Sequence, residues 1–371
     1  MLNNPAVWQF SLNAMHAAMW GGSLLVALFV FSRFVTLRTL TVATLVATVA
    51  LVMLGAYVRL SNAGLGCPDW PGCYGKLSPT QAEDQIQAAA MAAPDGPVSL
   101  PKAWREMVHR YFASFVGVMI LALAIQVLNN RRRRSMEPDD PARNLGLPAA
   151  LVVVVVLQGL FGKWTVTLLL KPVIVTLHLL GGMTLVALLA WLTARHLQFT
   201  GGQPSALRGM RPLAAIGLIV LGMQIALGGW VSTNYAALAC VDFPTCNGTW
   251  KPATDFVHGF HFLRELGMTA EGEPLSNDAL NAIHWTHRIG ALVTFLILAY
   301  AAYRAMQLPA MRRLGGAAMA LLFVQVTLGV ANVLGSLPLP VAVAHNGVAA
   351  LLLATVVMLN FATRSPSSFG R

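Results

Sequence analysis

Nine apolar stretches dominate the chain, at roughly 13–32, 39–59, 108–129, 146–167, 173–194, 212–232, 284–304, 314–334 and 342–362. A run of about 18 or more apolar residues spans a bilayer as a helix, because lipid offers no partner to an open backbone group. The pattern therefore predicts an all-α, polytopic membrane protein. The first stretch reads as a helix rather than a signal peptide, since it lacks a basic leading segment and a small-residue cleavage site.

The pattern also repeats. Leu227 to Gly248 can be laid on Leu54 to Gly75 with matching Leu-Gly, Val, Cys-x5-Cys, Asp-aromatic-Pro and a closing Gly. Beyond it, 284–304 matches 108–129, Gln325 to Gly335 matches Gln158 to Thr167, and 342–362 matches 173–194. A repeat of this kind predicts two four-helix bundles, residues 37–200 and 201–371, related by a pseudo-two-fold axis. Residues 1–36 have no counterpart and form one extra N-terminal helix.

Composition agrees: of 371 residues 56% are hydrophobic and 11% charged, with a mean hydropathy of +0.64. The net charge of +11 is a topology signal and not a nucleic-acid one. Alternate loops, from Arg33 and Arg38 through Arg131 to Arg134 and on to Arg371, hold 15 of the 25 Lys+Arg but only three of the 14 acids. The positive-inside rule makes those loops cytoplasmic, which puts the N-terminus outside and the C-terminus inside.

Four histidines fall at matching places in the halves. His109, in Glu106-x-x-His109-Arg110, corresponds to His287, in His284-Trp-Thr-His-Arg288; His178 corresponds to His345. All four are expected within the first two turns of helices that run in the same direction, so they lie at similar depth. Ionisable groups in a membrane are costly and mark function. Two facing imidazoles in an apolar bundle suit bis-histidine ligation of heme iron, and Arg110 and Arg288 would pair with propionates. The halves differ where Glu106 occupies the position of His284. Glu106 is read either as a proton acceptor or water-orienting group, or as a carboxylate paired with Arg105 or Arg110.

The outer loops carry Cys67 with Cys73 and Cys240 with Cys246. Outside the cytoplasm such pairs are expected to be oxidised, either as a staple or as a redox-active pair; no tetrahedral zinc set completes them. Glu83 to Ala93 is expected to form a short interfacial helix. Asp255 to Glu265 is expected to form an amphipathic surface helix with His258 and His261 on one face, more a packing surface than a metal site. His16 reads as a packed histidine.

These residues resemble the heme A synthase family over about residues 39–362. The resemblance rests on Gly64-Leu-Gly-Cys-Pro-Asp-Trp-Pro-Gly-Cys73, Glu106-x-x-His109-Arg110, Thr165-Val-Thr-Leu-Leu-Leu-Lys-Pro172 with His178, His284-Trp-Thr-His-Arg288, and His345-Asn346. It implies oxidation of the C8 methyl of heme O to a formyl group, for aa3-type oxidases of a bacterial inner (cytoplasmic) membrane. By the same resemblance, His287 and His345 hold a heme b cofactor, His109 and His178 hold the substrate heme, and Glu106 is the essential carboxylate. Cys67 and Cys73 match the family form in which cysteine pairs are implicated in redox chemistry. Heme O synthase, an electron donor, lipid and further copies of the chain are the partners it suggests. Two rivals stand beside it: a diheme transmembrane electron carrier, and a thiol–quinone oxidoreductase using the cysteine pairs.

Overall fold

A computed structural model describes residues 21–133, 145–197 and 204–364. Eight of its helices are long and apolar enough to cross a membrane. In chain order the helices are α1 (Gly21–Phe34), α2 (Leu37–Leu60), α3 (Glu83–Ala92), α4 (Leu100–Arg133), α5 (Gly146–Thr167), α6 (Pro172–His196), α7 (Pro204–Thr233), α8 (Phe256–Gly259), α9 (Asn277–Met306), α10 (Arg312–Leu334) and α11 (Leu339–Ala362). The spans are α2, α4 to α7 and α9 to α11. Of the expected first span at 13–32, residues 13–20, with His16, lie outside the described residues. The remainder belongs to α1, a shorter apolar helix.

Local chemistry starts and stops these helices. The Thr36 hydroxyl accepts from Thr39 N–H to cap α2, and Ser276 does the same for Ala279 at α9,. Pro172 opens α6 at a position where the missing N–H costs nothing,. The α5–α6 turn passes through left-handed Leu169 and Leu170, and the α10–α11 turn through Ser336 and Leu337 in the same conformation. These two turns occupy equivalent places in the repeat.

Packing carries the repeat into three dimensions. In the first half α2 lies against α4 and α6, and α5 against α4 and α6; in the second α7 lies against α9 and α11, and α10 against α9 and α11. The halves meet where α2 packs on α11, α7 on α6, and α6 on α11. Close approach there depends on small residues, as it must where lipid supplies no hydrophobic drive. A Cβ on Gly347 of α11 would stand 2.8 Å from Met53 Sδ on α2, and one on Gly229 of α7 would stand 3.4 Å from the Thr176 methyl on α6. The Thr176 and Thr233 hydroxyls bond across the same seam at 3.1 Å. α1 joins the first half at α4, where buried Gln126 donates to the Phe31 and Val35 carbonyls.

Two expectations need correction. The Asp255–Glu265 surface helix is only one turn, α8. A side chain at Gly259 would stand 2.7 Å from the Ala279 carbonyl, so the chain is pressed onto α9, and Trp230 Nε1 takes the Gly259 carbonyl at 2.9 Å. The helix stops there, and His258 pairs with Asp255 rather than sharing a helical face with His261. Second, α4 and α9 begin well before their apolar runs. Their first turns are polar, with small and apolar side chains on the packed side: Ala103 and Met107 of α4 are buried against Cys67 and Cys73, and Ala279 and Ala282 of α9 are buried. His109 and His287 therefore fall in the third turn of their helices, about 13–15 Å from the first residue at 1.5 Å per residue, whereas His178 and His345 do fall within the first two.

Candidate functional site

The two cysteine loops come first, because they rest on the histidine helices. Both pairs are disulfides, Cys67–Cys73 and Cys240–Cys246. Each loop closes in the same way. Asp69 accepts from Tyr74 N–H at 2.6 Å and Gly75 N–H at 2.7 Å; Asp242 accepts from Asn247 and Gly248. Gly75 and Gly248 have φ of +70° and +78°, which glycine adopts without strain,. The Thr245 hydroxyl, with the Gly248 and Asn247 N–H groups, holds the Asp242 carboxyl below the usual carboxylate range,.

One arginine anchors each loop. Arg110 donates to the Asp69 carbonyl at 2.8 Å and to that of Gly72. Arg288 donates to Asp242 O at 2.8 Å, Thr245 O at 2.7 Å and Cys240 O at 3.0 Å. Both guanidiniums are thus turned toward the loops, and a propionate would have to compete with these bonds.

Glu106 and His284 complete the anchors, and they do the same job. Glu106, 4% exposed, accepts the Cys67 N–H on Oε2 at 2.9 Å and pairs with Arg110 through Oε1. His284, 5% exposed, receives the Cys240 N–H at Nδ1 (3.2 Å) and faces Arg288 Nε through Nε2 (3.3 Å). A carboxylate can accept both bonds, whereas a neutral imidazole has one acceptor nitrogen and satisfies only one of them. The first loop is the more firmly fastened.

Below the loops lie the histidines, each facing a glycine on a neighbouring helix. A Cβ at Gly55 of α2 would stand 3.2 Å from His109 Nε2; at Gly162 of α5, 3.6 Å from His178 Cε1. In the second half Gly228 of α7 faces His287 Cε1 at 3.0 Å, and Gly329 of α10 faces His345 Cε1 at 3.2 Å. His109 interacts electrostatically with His178, and His287 with His345. All four rings keep part of their surface accessible, and His178 Nδ1 and His345 Nδ1 are buried without a hydrogen-bond partner.

This donor set fits a heme. No group of three or more His, Cys, Asp or Glu that could hold a metal ion occurs among the described residues. Two imidazoles per half are too few for a bare ion but suffice for an iron that takes its other ligands from a macrocycle. Glycines beside the rings let each imidazole lie close against the neighbouring helix, and the orphaned nitrogens are ligand atoms without a partner.

Sequence reasoning missed the four facing glycines and two glutamines, Gln224 and Gln325, whose amides reach His287 and His345. The available signal was a Gln-x3-Gly spacing at the same register of α5, α7 and α10. It also missed Arg59, which donates to the Ser232 carbonyl at 2.6 Å and lies over the Tyr235 ring, tying the halves at the loop end.

Fold and site together define a class: multi-pass helical membrane proteins of two related halves, each with a histidine pair beneath a disulfide loop. Residues 38–357 match the COX15-CtaA family, described as cytochrome oxidase assembly protein. The chain is similar to the heme A synthase of Shewanella oneidensis, with 41% identity over 86% of this chain and 94% of the relative. It is also similar to those of Caulobacter vibrioides, at 28% over 85% and 93%, and Granulibacter bethesdensis, at 26% over 83% and 82%. The chain belongs to the heme A synthase family.

Proposed function

We propose that this chain oxidises the C8 methyl group of heme O to the formyl group of heme A, for use in aa3-type cytochrome oxidase. Two successive two-electron oxidations, each adding one oxygen atom, take the methyl carbon through a hydroxymethyl and a hydrated aldehyde, which sheds water to leave the formyl group; the four electrons and four protons pass to an oxidant outside the chain. His109 and His178 hold the substrate heme in the half formed by residues 37–200; His287 and His345 hold a resident heme b in the half formed by 201–371. Bound there, heme b would supply one-electron chemistry. The observation that carries this reading is the fourfold placement of histidine against glycine, in two pairs, within a family whose named relatives are heme A synthases.

Each residue then has a task of its own. The imidazoles orient their hemes within the bundle, and the glycines seat the imidazoles. Glu106 and Arg110 fasten the Cys67–Cys73 loop above the substrate pair. Because both Glu106 oxygens are engaged by Cys67 N–H and Arg110, the bonds favour an anchoring role for this carboxylate over free proton exchange. The cysteine end faces outward from the inner membrane, in keeping with the arginine-rich loops at the other end,. Heme O arrives from heme O synthase, through lipid, and a redox partner outside the chain completes the turnover.

The test is expression with and without heme O synthase, followed by mass identification of the extracted hemes. Heme A or its hydroxylated precursor, formed only when heme O is available, is the expected result. Heme B alone under both conditions would make the chain an electron carrier instead.

A further inference from the structure

Each glycine that faces a histidine is preceded, one helical turn earlier, by a residue on the same face. That residue is Gln158 before Gly162, Gln224 before Gly228 and Gln325 before Gly329, but Leu51 before Gly55. The three glutamines behave differently. Gln224 Nε2 lies 3.0 Å from His287 Nδ1 and also donates to the His287 carbonyl at 3.0 Å. Gln325 Nε2 lies 3.1 Å from His345 Nε2. Gln158 and Gln224 each fill the place of a side chain at the glycine three residues after the facing histidine, Gly181 and Gly290, but Gln158 makes no bond to His178. Both histidines of the second half thus have an amide partner. Those of the first half have none: His178 Nδ1 is buried and unpartnered, and the matching position beside His109 is an aliphatic leucine.

We infer that Gln224 and Gln325 are positioning residues that orient and electronically tune the His287/His345 pair so that this half keeps its heme, while the pair without amide partners, His109/His178, is left to take up and release one. The inference rests on the reading that each pair ligates a heme. A metal-bound imidazole gives its second nitrogen's proton to an acceptor, which fixes the ring and raises its basicity; removing such an acceptor commonly costs about 10–100-fold in metal affinity. The amides can serve in this way. Gln224 Oε1 and Gln325 Oε1 are both buried with no partner, and a half-turn of the amide would bring that oxygen to the ring nitrogen, at Gln224 in exchange for its bond to the His287 carbonyl,. For the ring nitrogen left free by iron, that oxygen is the only acceptor the sequence supplies at this register.

The experiment compares the full-length chain with Gln224→Leu and Gln224→Glu, all purified carrying heme b from cells without heme O synthase. Heme per protein, midpoint potential, low-spin electron paramagnetic resonance and heme release to apomyoglobin are measured. Gln224→Leu is expected to raise the midpoint potential, shift the low-spin signal and release heme about tenfold faster or more. Gln224→Glu, which keeps an oxygen at that place, is expected to stay at or below the unaltered potential. Complete loss of heme from Gln224→Leu with Gln224→Glu still loaded supports the same conclusion. Equal potentials and release rates in all three proteins would overturn it, as would an upward shift shared by both variants, since shape rather than the acceptor would then be what mattered. A heme-free unaltered chain would overturn the ligation reading itself, which is a separate and recognisable failure.

Discussion

The two cysteine loops are closed by the same bonds and anchored by different residues. Glu106 in one half and His284 in the other each meet a cysteine N–H and an arginine one turn along the helix. What the repeat preserves is a pattern of donors and acceptors, and the side chain that answers it is free to vary. A carboxylate answers both donors and an imidazole only one, while the arginines are alike, each reaching three loop carbonyls. A charged residue replaced by a neutral one at matching positions is therefore not, by itself, a sign of different chemistry. The histidine environments below are a better guide: amide partners in one half and none in the other.

The sharpest way to break this comparison is to remove the anchors. Glu106→Ala leaves Cys67 N–H without its acceptor and the nearly buried Arg110 without its counter-charge, and uncoupling a buried ion pair costs about 3–5 kcal/mol. His284→Ala removes one neutral hydrogen bond and is expected to cost about 1–3 kcal/mol. Thermal unfolding in detergent should show the larger drop for Glu106→Ala; equal drops would deny the difference in anchoring. Glu106→His, which copies the other half, separates stability from chemistry. Product formed by this variant would fit an anchor, and a stable protein without product would give the carboxylate a chemical task.

Opening the disulfides is the next largest perturbation. Loops this short gain about 2 kcal/mol from closure, so Cys67→Ser and Cys240→Ser should lower the unfolding temperature by similar amounts. If only Cys67→Ser also stops heme A formation while heme content is kept, the first pair is redox-active and the halves differ there too. Product from Cys67→Ser would make both loops staples.

Glycine-to-alanine changes give a graded series of smaller effects. Overpacking of this kind costs about 1–3 kcal/mol, and the distances from the new Cβ to the ring order the outcomes. Heme content should fall most for Gly228→Ala at 3.0 Å and least for Gly162→Ala at 3.6 Å, with Gly55→Ala and Gly329→Ala between. A flat series would mean that the glycines do not set the positions of the ligating rings.

The smallest effect lies on the surface. Asp255, at 2.6 Å, raises the pKa of His258 above its usual value, mainly through their hydrogen bond. A raised folded-state pKa means that the contact's stabilisation is complete below about pH 6.5 and fades as pH rises through the higher folded value. Histidine-selective NMR should place the His258 midpoint above that of a free histidine, and Asp255→Asn should return it. No change on that substitution would remove the pair from the account.

Most of the architecture was legible because lipid imposes a single rule on every span, and the eight long helices follow the apolar runs. The repeat was legible in Cys-x5-Cys and in the paired histidines. The starts of α4 and α9 were not, since their first turns are polar and owe their burial to loops that fold back over them. Nor was the end of α8, which Trp230 and Gly259 settle through contacts distant in sequence. The bonds of Arg110 and Arg288 to the loop carbonyls were not legible either: spacing says which side chains share a face, and not which of several carbonyls a guanidinium will reach. Gln224 and Gln325 escaped notice because an amide in an apolar helix has no motif until its partner across the bundle is known.

The central claim is that the two histidine pairs hold different hemes for different ends. It is tested most directly by extracting the hemes from His109→Ala and His287→Ala, each expressed with heme O synthase. The account predicts that His287→Ala loses heme B and still carries heme O, whereas His109→Ala keeps heme B and carries neither heme O nor heme A. Loss of the same heme from both variants would contradict it.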